Sequence, residues 1–457
     1  MLIRSLGAIF VCSCMAVSAL AQPGSVPSSP DMQKVLDRLD RLEKQNQELL
    51  AEIQELRQEL TSSQSAGATT PEDTPPGPPP AERLDVQENR TSELDQSKVG
   101  TSQRMPVTLT GMLLFNAFHN GGFGGTGQYP LAAQLNESAS SVGASLRQTV
   151  IGLKFNGPSL PGGGKASGSA YFDFWGGTSA PSNNLFRVRI ATLDLAWKNT
   201  TITVGQDKPI VAPREPTSLA QVGLSPLSAA GNLWDWQPQI RVEQRFALGE
   251  QTGLHLQTGV YETSEAYTAS APAALSGTLE RQRPGYEARL LFYHGTDSRR
   301  IEIAPGFHAS STHVAGQTVN SRLGTLDWLI KPSELITVTG AMFTGTDDTP
   351  LGALRQGFTI LPTGAAIPVH ATGVWSQMAI FPANRFSLHF YGGEESNRAA
   401  DLIANSVQRN LVYAGNIVYK LAPNVLASFE TSQTRTDYIA SGIRINNHYD
   451  LALAYLF

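Results

Sequence analysis

The sequence predicts an all-β protein: a sixteen-stranded antiparallel transmembrane β-barrel preceded by an α-helical coiled coil. Three observations carry that expectation. Sixteen strand-like segments follow Val107 with no convincing helix among them. The connections between them alternate long and short for most of the chain. The last nine residues, "YDLALAYLF", place Tyr449, Leu451, Leu453, Tyr455 and Phe457 on one face and supply nothing to cover it.

The N-terminus, 1–21, reads as a secretory signal peptide. Arg4 begins it, "LGAIFVCSCMAVSAL" is the apolar stretch, and Ala19–Ala21 fits small-x-small before a cut at Gln22. Both cysteines, Cys12 and Cys14, fall inside it, so an exported chain would have no disulfide. No later segment is apolar enough for a membrane helix. Membrane entry would therefore be by strands.

Residues 31–60 hold a heptad. Met32, Val35, Leu39, Leu42, Asn46, Leu49, Ile53, Leu56 and Leu60 form an a/d seam. Arg38 with Glu43, and Glu52 with Arg57, occupy g and following e positions. Leu36 and Leu50 at e widen the apolar face, which favours more than two helices. As a helix this segment is roughly 45 Å long, enough to reach toward the cell wall. Residues 61–106 are a Pro/Ser-rich linker with an extended "GPPP".

The barrel is expected over 107–457. Its strands are read at 107–118, 145–156, 165–176, 185–197, 200–206, 237–248, 251–263, 284–294, 299–311, 319–330, 334–344, 371–381, 384–393, 408–420, 424–437 and 446–457. In a meander every second connection lies on the same rim. One rim thus has tight turns and the other long loops, the asymmetry of bacterial outer-membrane barrels. Soluble sandwiches have loops of mixed length at both ends. Lipid then covers the outer face, and the last strand closes on the first.

Alternation within strands assigns the two faces. In "QIRVEQRFAL", Ile240, Val242, Phe246 and Leu248 point one way, and Arg241, Glu243 and Arg245 the other. In "YEARLLFY", Tyr286, Ala288, Leu290 and Phe292 oppose Glu287 and Arg289. "RFSLHFY" places Arg385, Ser387 and His389 opposite Phe386, Leu388 and Phe390. "FRVRI" turns Arg187 and Arg189 inward, and a phase shift near Ala191 predicts a bulge. A charge facing lipid at mid-depth costs about 2–4 kcal/mol, so these residues are expected to line a water-filled lumen or to stand at a rim.

The longest connection, "GQDKPIVAPREPTSLAQVGLSPLSAAGNLWDWQPQ", carries Lys208, Arg214, Trp234 and Trp236. A loop of about 30 residues is usually functional. It is the third on the long-loop rim. With the N-terminal coiled coil and the barrel, the chain resembles trimeric outer-membrane porins, and among them the dicarboxylate-porin (DcaP-like) group. That resemblance implies an inward-folded third loop that narrows the channel. It also implies a homotrimer in outer-membrane lipid, and passive diffusion of small hydrophilic solutes, leaning to anions such as dicarboxylates.

Other chemistries find little in the sequence. Net charge is −5, split as −6 over residues 1–100 and +1 over the rest, which does not fit a nucleic-acid partner. "GFGGTG" matches a dinucleotide motif without the helix that motif needs and reads as a floppy external loop. The eight histidines form no closely spaced ligand cluster, and neither metal nor cofactor is expected. An outer-membrane hydrolase would need a nucleophile and base; His294 near Ser298 is the nearest local pair. A plugged barrel acting as a structural tether is the remaining alternative.

Overall fold

The computed structural model describes residues 107–177, 184–262, 280–281, 284–314, 317–354 and 356–457. The expected signal peptide, coiled coil and linker lie outside the described residues.

Sixteen staves form one sheet. They are β1 (Val107–Asn120), β2 (Ser141–Ser145 and Val150–Leu160), β3 (Gly164–Gly176), β4 (Leu185–Ala196), β5 (Thr200–Asp207), β6 (Gln237–Ala247), β7 (Thr252–Tyr261) and β8 (Gly285–Gly295, with Glu280–Arg281 above it). The second half is β9 (Arg300–Val314), β10 (Gln317–Ser333), β11 (Ile336–Thr346), β12 (His370–Ala383), β13 (Phe386–Asn397), β14 (Val407–Ala422), β15 (Val425–Tyr438) and β16 (Gly442–Leu456). Each pairs antiparallel with its neighbours in sequence. β16 then pairs with β1, from Met112 opposite Leu456 to Asn120 opposite His448. Phe457 and Gly111 complete the seam with two backbone hydrogen bonds, at 2.9 and 3.1 Å. Closure removes the first- and last-strand edges of this sheet, as a strand protein in lipid requires.

The two rims differ as expected. Residues 161–163, 197–199, 248–251, 296–299, 334–335, 384–385 and 423–424 make the short rim. The opposite rim carries the long connections 121–140 and 208–236 among the described residues, with shorter links elsewhere. Several staves run further toward that rim than the sequence indicates. β9 reaches Val314, and β16 begins at Gly442. The added residues, Thr312–Val314 and Gly442–Ile445, lie beyond the polar pairs Ser310–Ser311 and Asn446–Asn447, where the apolar alternation is interrupted.

The outer face is apolar. Leu109, Leu113, Val204, Ile240, Phe246, Leu290, Phe292, Ile417, Leu451 and Leu453 are exposed on it. Tyr419, Tyr455 and Phe457 stand near the short rim, and Tyr286 and Tyr413 toward the other, an aromatic girdle at each end of the apolar band. The inner face is polar and covered: Asn116, Asp173, Glu287, Arg289, His308, Asp327, Glu395 and Glu430 are all buried. The predicted bulge is present on β4. Tyr171 opposes Ile190 and Phe172 opposes Val188, leaving Arg189 as the extra residue. The insertion shifts the phase of the residues that follow it, as the break in alternation near Ala191 predicts.

The "GFGGTG" segment is not floppy. Gln134 N donates to Phe123 O at 2.7 Å, Ser141 Oγ to Gly125 O at 2.7 Å, and Asn120 Nδ2 to Gly127 O at 2.7 Å. Its glycines serve a tied-down turn, with Gly125 at φ 67°.

Candidate functional site: the inward loop and its arginines

The loop 208–236 folds into the barrel. Its apolar residues Ile210, Val211, Ala220, Leu227, Ala230 and Leu233 are buried, which an external loop of this length would not achieve. The wall holds it through polar side chains on many staves. Glu287 of β8 accepts from Ile210 N at 2.5 Å and Val211 N at 3.3 Å. Gln377 of β12 accepts from Thr217 N at 2.6 Å. Glu430 of β15 accepts from Ser218 Oγ at 2.6 Å. Asn416 and Asn410 of β14 donate to Thr217 O and Ala229 O. Asn116 of β1 donates to Leu219 O at 2.9 Å. Gln148, just before the second segment of β2, accepts from Val222 N and Gly223 N and donates to Ala220 O. A loop bonded to β1, β8, β12, β14 and β15 crosses the lumen.

Backbone meets backbone at one point. Gly231 (φ 89°) lies against β12 and β13. A Cβ there would sit 2.5 Å from Val374 N and 2.6 Å from Glu394 O. Both the space and the left-handed φ require glycine.

The cations gather around this loop. Arg187 binds Asp173 through Nε at 3.1 Å and an Nη at 2.6 Å, and reaches Gly223 O. Arg189 approaches the same carboxylate at 3.4 Å and donates to Val222 O at 2.6 Å. Both guanidinium groups lie over the Trp236 ring, at 5.0 and 4.8 Å from its centroid. Trp234 packs edge-on against Trp236, with centroids 5.5 Å apart. Lys208 pairs with Glu215 at 2.8 Å. Burial works against that carboxylate's charge, but Lys208, Ser225 and Arg189 outweigh it and hold Glu215 below the usual carboxylate range. Arg214 and Arg289 share Asp327, and Arg214 also reaches Glu302.

The remaining sequence-predicted residues lie elsewhere. Arg241 pairs with Asp207 at 3.1 Å where β5 enters the loop. Arg245 pairs with Glu243 at 2.6 Å toward the short rim and is half exposed. Arg385 is not on the wall: it occupies the two-residue turn 384–385, exposed, because Ala383 already pairs with Phe386. Strand alternation was extended one residue too far there.

Sequence reading missed the carboxylates that organise the cations: Asp173, Asp207, Asp327 and Glu302. Their signal was present. Asp173 in "YFDFW" and Asp327 in "LDWLI" are lone charges on the inner phase of otherwise apolar strands.

The suggested nucleophile–base pair does not form. His294 Nδ1 lies 2.8 Å from Thr252 Oγ1, and Ser298 bonds Thr296. A different row, Ser321–His308–Glu287, has contacts of 2.9 and 3.1 Å. Ser321 and His308 have no exposed surface, and Ser321 donates its hydroxyl proton to Asp347 O. This row braces the wall behind the loop.

No protein-family model matches the sequence. No curated protein matches it either. Solved structures do. The outer membrane channel DcaP of Acinetobacter baumannii is similar at TM-score 0.65 and 15% identity, over 78% of this chain and 98% of that one. The fold is that of the outer-membrane porins. A second similar structure, an anion-selective porin from Comamonas acidovorans, aligns at TM-score 0.53 and 13% identity, over 77% of this chain and 100% of that one. Within the porin fold, the loop after β5 is the element laid across the lumen, and Arg187, Arg189 and Trp236 sit where it meets the wall.

Proposed function

We propose that this chain is a passive diffusion channel of the bacterial outer membrane for small hydrophilic solutes, favouring anions such as dicarboxylates. One observation carries the reading: the loop 208–236 crosses a closed barrel and gathers Arg187 and Arg189 over Trp236. Arg187, Arg189 and Lys208 face Asp173 and Glu215 there, three cations to two carboxylates, so the group keeps a net positive charge. In a narrow lumen that charge acts at a lower dielectric than in bulk water and draws anions. No nucleotide, metal or catalytic step enters the reading. The similarity to an outer membrane channel and to an anion-selective porin supports it.

The proposed assembly is a homotrimer, with residues 31–60 as a periplasmic coiled coil that contributes to it. A second reading, a plugged barrel that tethers the envelope through that coiled coil to the cell wall, has one observation in its favour. The loop is hydrogen-bonded to the wall on many sides. Planar-bilayer recording separates the two. A channel gives discrete conductance steps and a reversal potential of anion-selective sign in a salt gradient. A tether gives no steps.

A further inference from the structure

From β14 round through the β16–β1 seam to β4, the wall near the short rim carries charge of one sign. The strand ends and turns of this arc are 107–112, 154–169, 192–199, 420–429 and 451–457. They hold Lys154, Lys165, Lys198 and Lys420 against a single carboxylate, Asp194. Asp194 accepts from the Thr203 hydroxyl at 2.6 Å. The facing arc mixes its signs. Arg245 pairs there with Glu243 and Arg300 with Glu302, and the turns add Glu250, Asp297 and Glu334.

Lys154, Lys165 and Lys420 face the channel. On β2, Leu153 is exposed on the outer face, which turns Lys154 inward, opposite Thr108 and Ser169. Lys165 shares the phase of Asp173 on β3, and Lys420 that of the buried Asn416 on β14. All three are exposed, and none makes an ion pair among the described residues. They stand apart from the inward loop. β3 runs about 26 Å from Asp173 to Lys165, and β2 about 13 Å from Val150, the partner of Asp173, to Lys154.

We propose that Lys154, Lys165 and Lys420 form a second anion-attracting station at the short-rim mouth, so that selectivity depends on which mouth the dilute solution bathes. The anions gathered are those of the diffusion-channel reading, on which this inference rests. A fixed charge enriches counter-ions over roughly one Debye length, about 30 Å at 0.01 M salt and about 3 Å at 1 M. These lysines therefore act on a dilute solution at their own mouth and are screened by a concentrated one. Arg187 and Arg189 sit deeper, against the loop at Gly223 and Val222, and act on ions from either side. Lysine suits a mouth. Its ammonium is a hydrated point charge on a flexible stem, which attracts an anion without the bidentate hold of a guanidinium.

The test uses the full-length protein in planar bilayers, in a potassium chloride gradient from about 0.01 to 0.1 M. Reversal potentials are read on the same channels with the gradient in both directions. In the triple variant Lys154→Gln, Lys165→Gln, Lys420→Gln, the anion preference should fall about twofold in one direction and change far less in the other. The chamber from which an anionic thiol reagent modifies Lys165→Cys faster marks the short rim. It should be the dilute chamber of the sensitive direction. Arg187→Gln with Arg189→Gln should lower the preference in both directions and leave the dependence on side. An anion-selective wild type with the triple variant unchanged, or lowered equally in both directions, would overturn this inference alone. A wild type without conductance steps would overturn the channel reading and this inference with it.

Discussion

Arg214 of the inward loop and Arg289 of β8 bind the same carboxylate. Asp327 Oδ1 accepts from Arg214 Nε at 2.5 Å and from Arg289 at 2.8 Å, and its Oδ2 accepts from Arg289 Nε at 2.6 Å. Asp327 is 1% exposed and Arg289 4%. The loop is thereby tied to β10 through a charge that the wall itself needs.

Asp327→Asn breaks that tie and leaves Arg289 buried beside a neutral amide. Breaking a buried ion pair costs about 3–5 kcal/mol. Two changes are expected: a lower midpoint of thermal unfolding, and tryptic cleavage after Arg214 in the folded protein. Resistance to trypsin equal to that of wild type would show that Arg214 is held by other contacts.

Gly231→Val tests the seating of the loop on β12 and β13. A side chain meets Val374 N and Glu394 O at under 3 Å, so the loop must move off the wall. Single-channel conductance should rise or become noisy while the barrel keeps its far-ultraviolet signature. Conductance identical to wild type would mean that the loop does not set the aperture.

The connection 347–369 brings a pH dependence. Burial pushes the Asp348 carboxyl up to about 6, although a hydrogen bond with Glu395 favours its charged form. A raised pKa means that the folded segment holds the proton more tightly than the unfolded one, so its closure is strongest in acid. That contribution is lost as pH rises from 3.8, the ordinary value, through about 6. Amide exchange over 347–354, corrected for intrinsic rates, should show protection falling across that window. Asp348→Asn should flatten it. An unchanged slope in the variant would place the titration elsewhere.

Deleting residues 31–60 should lower the heat and SDS resistance of the assembly, read by gel mobility. Equal resistance without them would assign the heptad to tethering. Monomers in mild detergent for the intact chain would contradict the trimer.

The barrel was legible because its signals are local and repeated. Strand alternation in "QIRVEQRF" or "YEARLLFY" follows from lipid on one side and water on the other, and the rims from connection length alone. Even the bulge at Arg189 showed as a phase shift. The site was legible only in part. Arg187, Arg189, Trp234 and Trp236 form one group and Arg214 another with Arg289, but no periodicity says that Asp173 or Asp327 lies beneath them. The Asp173 contacts cross between neighbouring strands, whereas Arg214 and Asp327 are 113 positions apart and meet only where an aperiodic loop comes to rest. Arg385 was misplaced because alternation does not announce where a strand turns.

The central claim is that the Arg187–Arg189 group over Trp236 sets an anion preference. The measurement is the reversal potential in a potassium chloride gradient, for wild type and for Arg187→Gln with Arg189→Gln. Wild type should reverse at an anion-selective potential and the double variant should shift toward cations. Arg241→Gln with Arg245→Gln should shift it less, because Asp207 and Glu243 already pair with those residues. The difference should shrink near 1 M salt, where the Debye length falls to about 3 Å. An unchanged reversal potential at low salt in the Arg187/Arg189 variant would contradict the account.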